Sequence, residues 1–218
     1  MASPVGSMAD PFNAAALNTA MWTQTVAGST TVSYSASGAS FTLANPCAVG
    51  DIARVASVDT YDLTGSSMTV HIVSTPTLAT TVADIEIGMG VAAQTIVGPN
   101  WIKFIIEGAI LYAQFAISWA ITTVHSAAYS LSTQAYLRIS ELGGVLTYWT
   151  SSDGITWTSF GTGTPTGLTM TAVYPIVDLY SYQTGASPNA LVFNSLNSSP
   201  QVPKSIIERQ AVNRSYTY

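Results

Sequence analysis

Charged side chains are scarce in this chain: 8% of its 218 residues are Asp, Glu, Lys or Arg, against 48% hydrophobic. A surface with so few ions has to be covered by hydroxyls and amides, and Ser and Thr make up about a quarter of the sequence. Six basic residues are outnumbered by eleven acidic ones, for a net charge of -5. That balance lacks the positive footprint a phosphate backbone requires, so no nucleic-acid partner is expected. Cysteine is nearly absent, and Cys47 alone can form neither an intramolecular disulfide nor a thiolate zinc site. His71 and His125 stand apart, without H-E-x-x-H spacing or a triad pattern around them. Neither a metal nor a cofactor is therefore expected. Asp59, Asp62 and Asp153 are loop or strand-end candidates for a calcium ligand, but an aspartate in a turn needs no ion to explain it.

Helical periodicity is also missing, apart from short pieces near residues 11–20 and 206–212. Residues 104–124 are long and apolar enough to imitate a membrane span. Against a span, Lys103 borders the run, Glu107 and Gln114 interrupt it, and Leu111, Ala113, Phe115, Ile117, Trp119 and Ile121 share one face of a period-two pattern. The segment reads as a strand over 110–121 following a turn at Glu107-Gly108, and no membrane insertion is expected.

Strand candidates recur along the chain with turn residues between them, which predicts one all-β domain of two packed antiparallel sheets. The clearest stretch is RISELGGVLTYWTSSDGITW at 138–157. Gly143-Gly144 and Asp153-Gly154 supply the positive φ of tight turns, and the runs between them alternate apolar with polar, so the stretch is a β-meander. Folding it about Gly143-Gly144 places Leu137, Ile139, Leu146 and Tyr148 on one face, expected to be inward. Tyr136, Arg138, Thr147 and Trp149 take the other.

This run, written R-I-x-E-x-G-G-x-x-x-Y-W-x-S-x-D-G-x-x-W, resembles the strand-turn-strand signature of concanavalin A-like (laminin-G-like) jelly-roll domains, found in lectin-like modules and in minor tail or other surface proteins of bacteriophages. Asp10-Pro11-Phe12 and Val192-Phe193 resemble that family's opening and closing elements, so the resemblance runs from about Asp10 to Leu196. It implies a jelly-roll sandwich over 10–197, preceded by an extension at 1–9. Ser151 to Trp157 also comes within one residue of the Asp-box of sialidase-like propellers. A propeller needs several copies, and one copy is a hairpin.

Jelly-roll glucanases carry an E-x-D-x-E strand, and Val82-Ala83-Asp84-Ile85-Glu86 resembles it with valine where the nucleophile should stand. Asp84 and Glu86 share a face, about 7 Å apart on a strand, wider than the about 5 to 5.5 Å of a retaining pair. No enzymatic activity is expected. A sugar contact is better served by Tyr136, Arg138, Thr147 and Trp149, since aromatic rings stack on apolar sugar faces and a guanidinium donates to hydroxyls. The alternative for the same residues is an Arg138–Trp149 cation–π pair that only caps the sheet.

Residues 198–218 change character. Pro200 and Pro203 cannot extend a sheet interior, and Lys204, Arg209 and Arg214 are half of all basic residues. The stretch reads as an extended docking arm with Ile206, Ile207, Tyr216 and Tyr218 as apolar anchors and Arg209 and Arg214 as partners for an acidic surface. The N-terminal residues lack a basic region and an apolar core, so no secretory signal is expected. Together these readings predict a non-enzymatic virion surface protein made in a host cytoplasm. It would be a bacteriophage tail or capsid-decoration component, in a homo-oligomer or symmetric assembly with other virion subunits, contacting host surface glycans. A free-standing carbohydrate-binding module and a glycoside hydrolase are the alternatives.

Overall fold

Alternation of apolar and polar residues, broken by glycine turns, makes strands of most of the described residues. The structure is a computed structural model and describes residues 2–76, 82–91, 93–96, 98–186 and 189–198. One sheet contains Ser3–Pro4 (β1), Trp22–Ala27 (β2), Ile52–Ser57 (β5), Tyr61–Asp62 (β6), Ala83–Val91 (β8), Trp101–Glu107 (β9), Ile110–Ile117 (β10), Ala120–Ala128 (β11) and Val173–Ser181 (β15). The other contains Thr31–Ser35 (β3), Gly38–Thr42 (β4), Ser67–Ser74 (β7), Tyr136–Leu142 (β12), Val145–Ser151 (β13), Thr158–Gly163 (β14) and Leu191–Leu196 (β16). The nine-stranded sheet runs β1-β6-β15-β8-β9-β10-β11, with β5 also on β15 and β2 on β5. The seven-stranded sheet runs β14-β13-β12-β7-β16-β4-β3. Among the described residues every strand pairing is antiparallel except that of β1 with β6.

The meander has the register expected from its turns: Arg138 lies opposite Trp149, and Ile139 opposite Tyr148. Leu137, Ile139, Leu146 and Tyr148 face inward, none more than 1% exposed. Across the interface they meet the inner face of β8, β9 and β10, where Ile85, Phe104 and Leu111 are equally buried. Tyr148 joins the layers, its ring edge-on to Phe104 at 5.1 Å and its hydroxyl donating to the Gln114 carbonyl at 2.6 Å.

The two ends of the sandwich close on each other. Asp10 bridges to Leu196, and its carboxylate accepts from the Phe12 N–H at 2.7 Å and the Trp22 indole N–H at 2.9 Å. Phe12 then packs on Trp22 and Phe193 with centroids 5.1 and 5.0 Å away. Residues 2–9, expected as an extension, are built into the domain: β1 pairs with β6, and Val5 and Met8 join the core.

Two expectations are corrected. Residues 11–20 contain no helix; they form an irregular connection. The single strand expected over 110–121 is two, because Ser118 and Trp119 form a two-residue hairpin turn between β10 and β11 with φ of 50° and 72°. Neither residue is a customary occupant of that conformation, so the turn carried no sequence signal. It is held by the Trp119 N–H on the Pro99 carbonyl and the Ser118 N–H on Asn100 Oδ1, both 2.9 Å. Residues 104–124 thus belong to three strands, and among the described residues no helix is long and apolar enough to cross a membrane. The proposed docking residues Ile206, Ile207, Arg209, Arg214, Tyr216 and Tyr218, with the helical piece near 206–212, lie outside the described residues.

Left-handed backbone costs an L-residue about 1 to 2 kcal/mol, and Trp119 recovers little by burial because it is 68% exposed. Replacing the turn with Ser118→Asn and Trp119→Gly is expected to stabilise the protein by about 1 kcal/mol, a rise of about 2 to 4 °C in Tm for a chain of this size. Thermal unfolding checks this, and an unchanged or lowered Tm would show that the turn is not strained.

Candidate functional site

Period-two geometry leaves each sheet with an outer face, and the two outer faces differ in chemistry. On the seven-stranded sheet, Tyr136, Arg138, Thr147 and Trp149 all point outward as the meander pattern requires. Beyond β13, Ser151 begins a turn in which the Asp153 carboxylate accepts from the Ile155 and Thr156 N–H groups at 2.8 and 2.7 Å, while the Ser151 hydroxyl accepts from the Gly154 N–H at 2.9 Å. Those backbone donors pull the Asp153 carboxyl down to about 2. The near Asp-box is therefore a self-satisfied turn, and its consequence is the placement of Trp157.

Arg138 stacks on Trp157, not on Trp149: its Cζ lies 3.7 Å from the Trp157 ring centroid. The alternative Arg138–Trp149 pair is corrected accordingly. Although directly opposite Arg138 in the ladder, Trp149 turns its indole N–H to Ser140 Oγ at 2.9 Å. Arg138 Nε donates to Thr69 Oγ1 at 2.9 Å. Tyr136 lies flat on the His71 ring at 4.0 Å, and His71 Nδ1 meets Asn194 Oδ1 at 2.6 Å. Burial lowers the His71 pKa, an effect only opposed by that hydrogen bond.

Of these groups Thr69, Tyr136 and Arg138 open onto a cavity of about 220 Å³, lined also by Gly6, Ser67, Gly154, Asn197 and Ser198. Its floor is fixed by Asn197, whose amide donates to the Val5 and Met8 carbonyls at 2.8 Å each and accepts from the Thr69 N–H at 2.7 Å. Of the residues expected to contact a sugar, Tyr136 and Arg138 line the cavity, whereas Trp149, opposite Arg138 on β13, and Thr147, opposite Ser140, do not. Trp157, Thr69 and Asn197 were missed. Trp157 alone had a signal, as the last residue of the S-x-D-G-x-x-W run.

The outer face of the nine-stranded sheet holds the carboxylates. Asp178 of β15 lies between Glu86 of β8 and Arg54 of β5, and Asp84 lies opposite Glu107 of β9. Arg54 pairs with Asp178, and Lys103 pairs with Glu86 while also donating to the Ile96 carbonyl at 3.1 Å. Gly88 makes room for Lys103, since a Cβ there would sit 2.5 Å from the lysine's own Cβ. Ile96 and Trp101 cover the pair with a second apolar cluster, leaving Glu86 only 3% exposed. Val82 precedes β8 and is itself buried. Among the described residues no group of three or more His, Cys, Asp or Glu is arranged to hold a metal ion.

No family model matches this chain, and no curated protein does. Solved structures do. A laminarinase from Flavobacterium sp. UMI-01 is similar with a TM-score of 0.61 at 10% identity, over 87% of this chain and 97% of that one. The Crh5 transglycosylase in complex with NAG gives 0.59 at 13% over 89% and 84%. The VIP36 exoplasmic/lumenal domain in its Ca2+/Man3GlcNAc-bound form gives 0.55 at 10% over 85% and 88%. At such identities the likeness is one of fold, and the fold is the concanavalin A-like jelly roll expected from the sequence.

Three carboxylates, Asp84, Glu86 and Asp178, share two cations, and Asp84 lacks an ion-pair partner. Burial first, then the charge of Glu86, pushes the Asp84 carboxyl up to about 8, while burial, opposed by Arg54, raises that of Asp178 to about 7. A carboxyl raised from 3.8 in the folded state contributes stability that is complete below its unfolded pKa and lost as pH rises toward about 8. Stability should fall between about pH 5 and pH 8, and Asp84→Asn should flatten that slope and raise Tm at about pH 8.5 by at least about 3 °C, the equivalent of about 1 kcal/mol. Parallel wild-type and mutant slopes in thermal melts would assign the titration to another group.

Proposed function

We propose that this protein is a non-enzymatic surface component of a virion, of bacteriophage tail or capsid-decoration type, whose sandwich contacts host glycans. The observation that carries the glycan contact is the Arg138 guanidinium held over Trp157 at the wall of an open polar cavity. A fixed guanidinium and the Ser67 and Thr69 hydroxyls in one depression, with the aromatic rings of Tyr136 and Trp157 beside them, suit a sugar, which needs polar groups to reach its hydroxyls and an apolar edge to pack on. Thr69 and Asn197 hold these groups in place before any ligand arrives, which lowers the ordering cost of binding. The fold is shared with proteins solved in complex with NAG and with Man3GlcNAc, which supports a sugar as the ligand class.

A non-enzymatic reading is favoured by the other outer face. Glycoside hydrolysis needs a carboxylate pair flanking a substrate, whereas here valine stands at position 82 and Glu86 is tied to Lys103 beneath Ile96 and Trp101. The virion setting is supported by the sparsely charged, Ser/Thr-rich composition and by the arm at 198–218. In this reading the arm docks on a partner subunit, where burying its apolar anchors would contribute about 1.5 to 3 kcal/mol each.

Isolated chain applied to a glycan array should bind, and Trp157→Ala should weaken that binding by about tenfold or more, the loss of about 1.4 kcal/mol, with an unchanged melting curve. Release of reducing sugar by the wild-type chain would end the non-enzymatic reading, and binding indifferent to Trp157→Ala would remove the site. Deleting residues 199–218 should leave a folded, sugar-binding sandwich that no longer joins its particle. Assembly of that truncated chain at wild-type occupancy would contradict the docking role.

A further inference from the structure

We infer that the sugar unit entering the Arg138 cavity is acidic, carrying a carboxylate that pairs with the free edge of the Arg138 guanidinium. The inference rests on the glycan-binding reading above and names the class of glycan. Among the described residues there are three cationic side chains, and they are not treated alike. Arg54 has Asp178 and Lys103 has Glu86, whereas no carboxylate of the described residues lies within ion-pair distance of Arg138. Its contacts are neutral: Nε donates to Thr69 Oγ1, and one face is covered by Trp157.

Those contacts consume one edge and one face of a planar group that has five N–H donors. The terminal nitrogens remain without a protein acceptor among the described residues, on a side chain that lines the cavity. Arg138 is half-buried, and burial lowers its pKa, so its charge is partly stripped of water and answered only by the neutral Thr69 hydroxyl and the Trp157 ring. The Asp153 carboxylate, which is felt at Tyr136, is committed to its own turn and fully exposed. A neutral sugar would leave the guanidinium uncompensated. A carboxylate matches it with two parallel N–H···O bonds, the geometry for which arginine is suited and lysine is not. The ring bearing that carboxylate would then lie toward Tyr136 and the Ser67 and Thr69 hydroxyls.

The full chain, titrated by NMR with the methyl glycosides of glucuronic and galacturonic acid and of N-acetylneuraminic acid, is compared with methyl glucoside, methyl galactoside and the neuraminic methyl ester. At least one acid should bind about tenfold or more tightly than its neutral counterpart. Arg138→Gln and Arg138→Lys should both remove that preference, Lys because it keeps the charge but not the fork. Thr69→Val, which frees Nε without altering the charge, should weaken it and serves if the Arg138 variants do not fold. Equal binding of acid and neutral partners, weakened alike by Trp157→Ala, would overturn the acidic class and leave glycan binding standing. Acid binding untouched by Arg138→Gln would also overturn it. Absence of binding by every sugar would overturn both readings together.

Discussion

Burial of one side-chain face of each central strand between two sheets is the constraint on which the rest of this protein depends. Because strand side chains alternate, fixing Leu137, Ile139, Leu146 and Tyr148 in the interior fixes Tyr136, Arg138, Thr147 and Trp149 outside, and no one-residue slip is tolerated. The same rule on β8 sends Ile85 and Ile87 inward and Asp84 and Glu86 outward. Two outer faces of opposite character follow from one core. One holds a guanidinium with no ion-pair partner among the described residues, set among hydroxyls and aromatics, the other a covered set of carboxylates and cations.

The few charges of the chain are consequently concentrated rather than spread. Removing an ion from water is costly unless it is paired, and on the nine-stranded sheet that cost is met by pairing Arg54 with Asp178 and Lys103 with Glu86, while burial pushes the unpaired Asp84 carboxyl up. Ile96 and Trp101 seal the cluster, so its role is to hold a loop and a sheet face together. Glu141 is a smaller case: buried within the R-I-x-E signature, it accepts from the Gly65 N–H at 2.7 Å and from the Gly144 N–H, stapling the meander turn. The carboxylate of that motif is a turn fastener with no contact to the cavity.

What was legible in the sequence is what depends on local rules. Gly143-Gly144 and period-two alternation gave the meander register, and from it the outward placement of Tyr136, Arg138 and Trp149. The hairpin at Ser118 and Trp119 was not legible, because tertiary hydrogen bonds from Pro99 and Asn100 impose a conformation the residues themselves disfavour. The irregular path of residues 11–20 was likewise set by distant partners, among them Trp22 and Phe193 around Phe12. The partner of Arg138 was misplaced for a similar reason. Adjacency in a ladder favoured Trp149, but the Asp153 turn swings Trp157 over the guanidinium, and Thr69 and Asn197 arrive from sequence positions far from the meander. A pairing between elements cannot be read from the spacing within one of them.

The five tryptophans of the chain offer a direct readout of where a sugar sits. Trp157 and Trp149 stand on the outer face of the seven-stranded sheet, Trp22 in the core, and Trp101 and Trp119 on or beside the nine-stranded sheet. Indole N–H resonances followed during titration with a binding glycan would separate them. Contact at the Arg138 cavity requires the Trp157 resonance to move most and Trp149 next, with Trp22, Trp101 and Trp119 still. Movement centred on Trp101 and Trp119 would place the sugar on the opposite sheet and contradict the assignment.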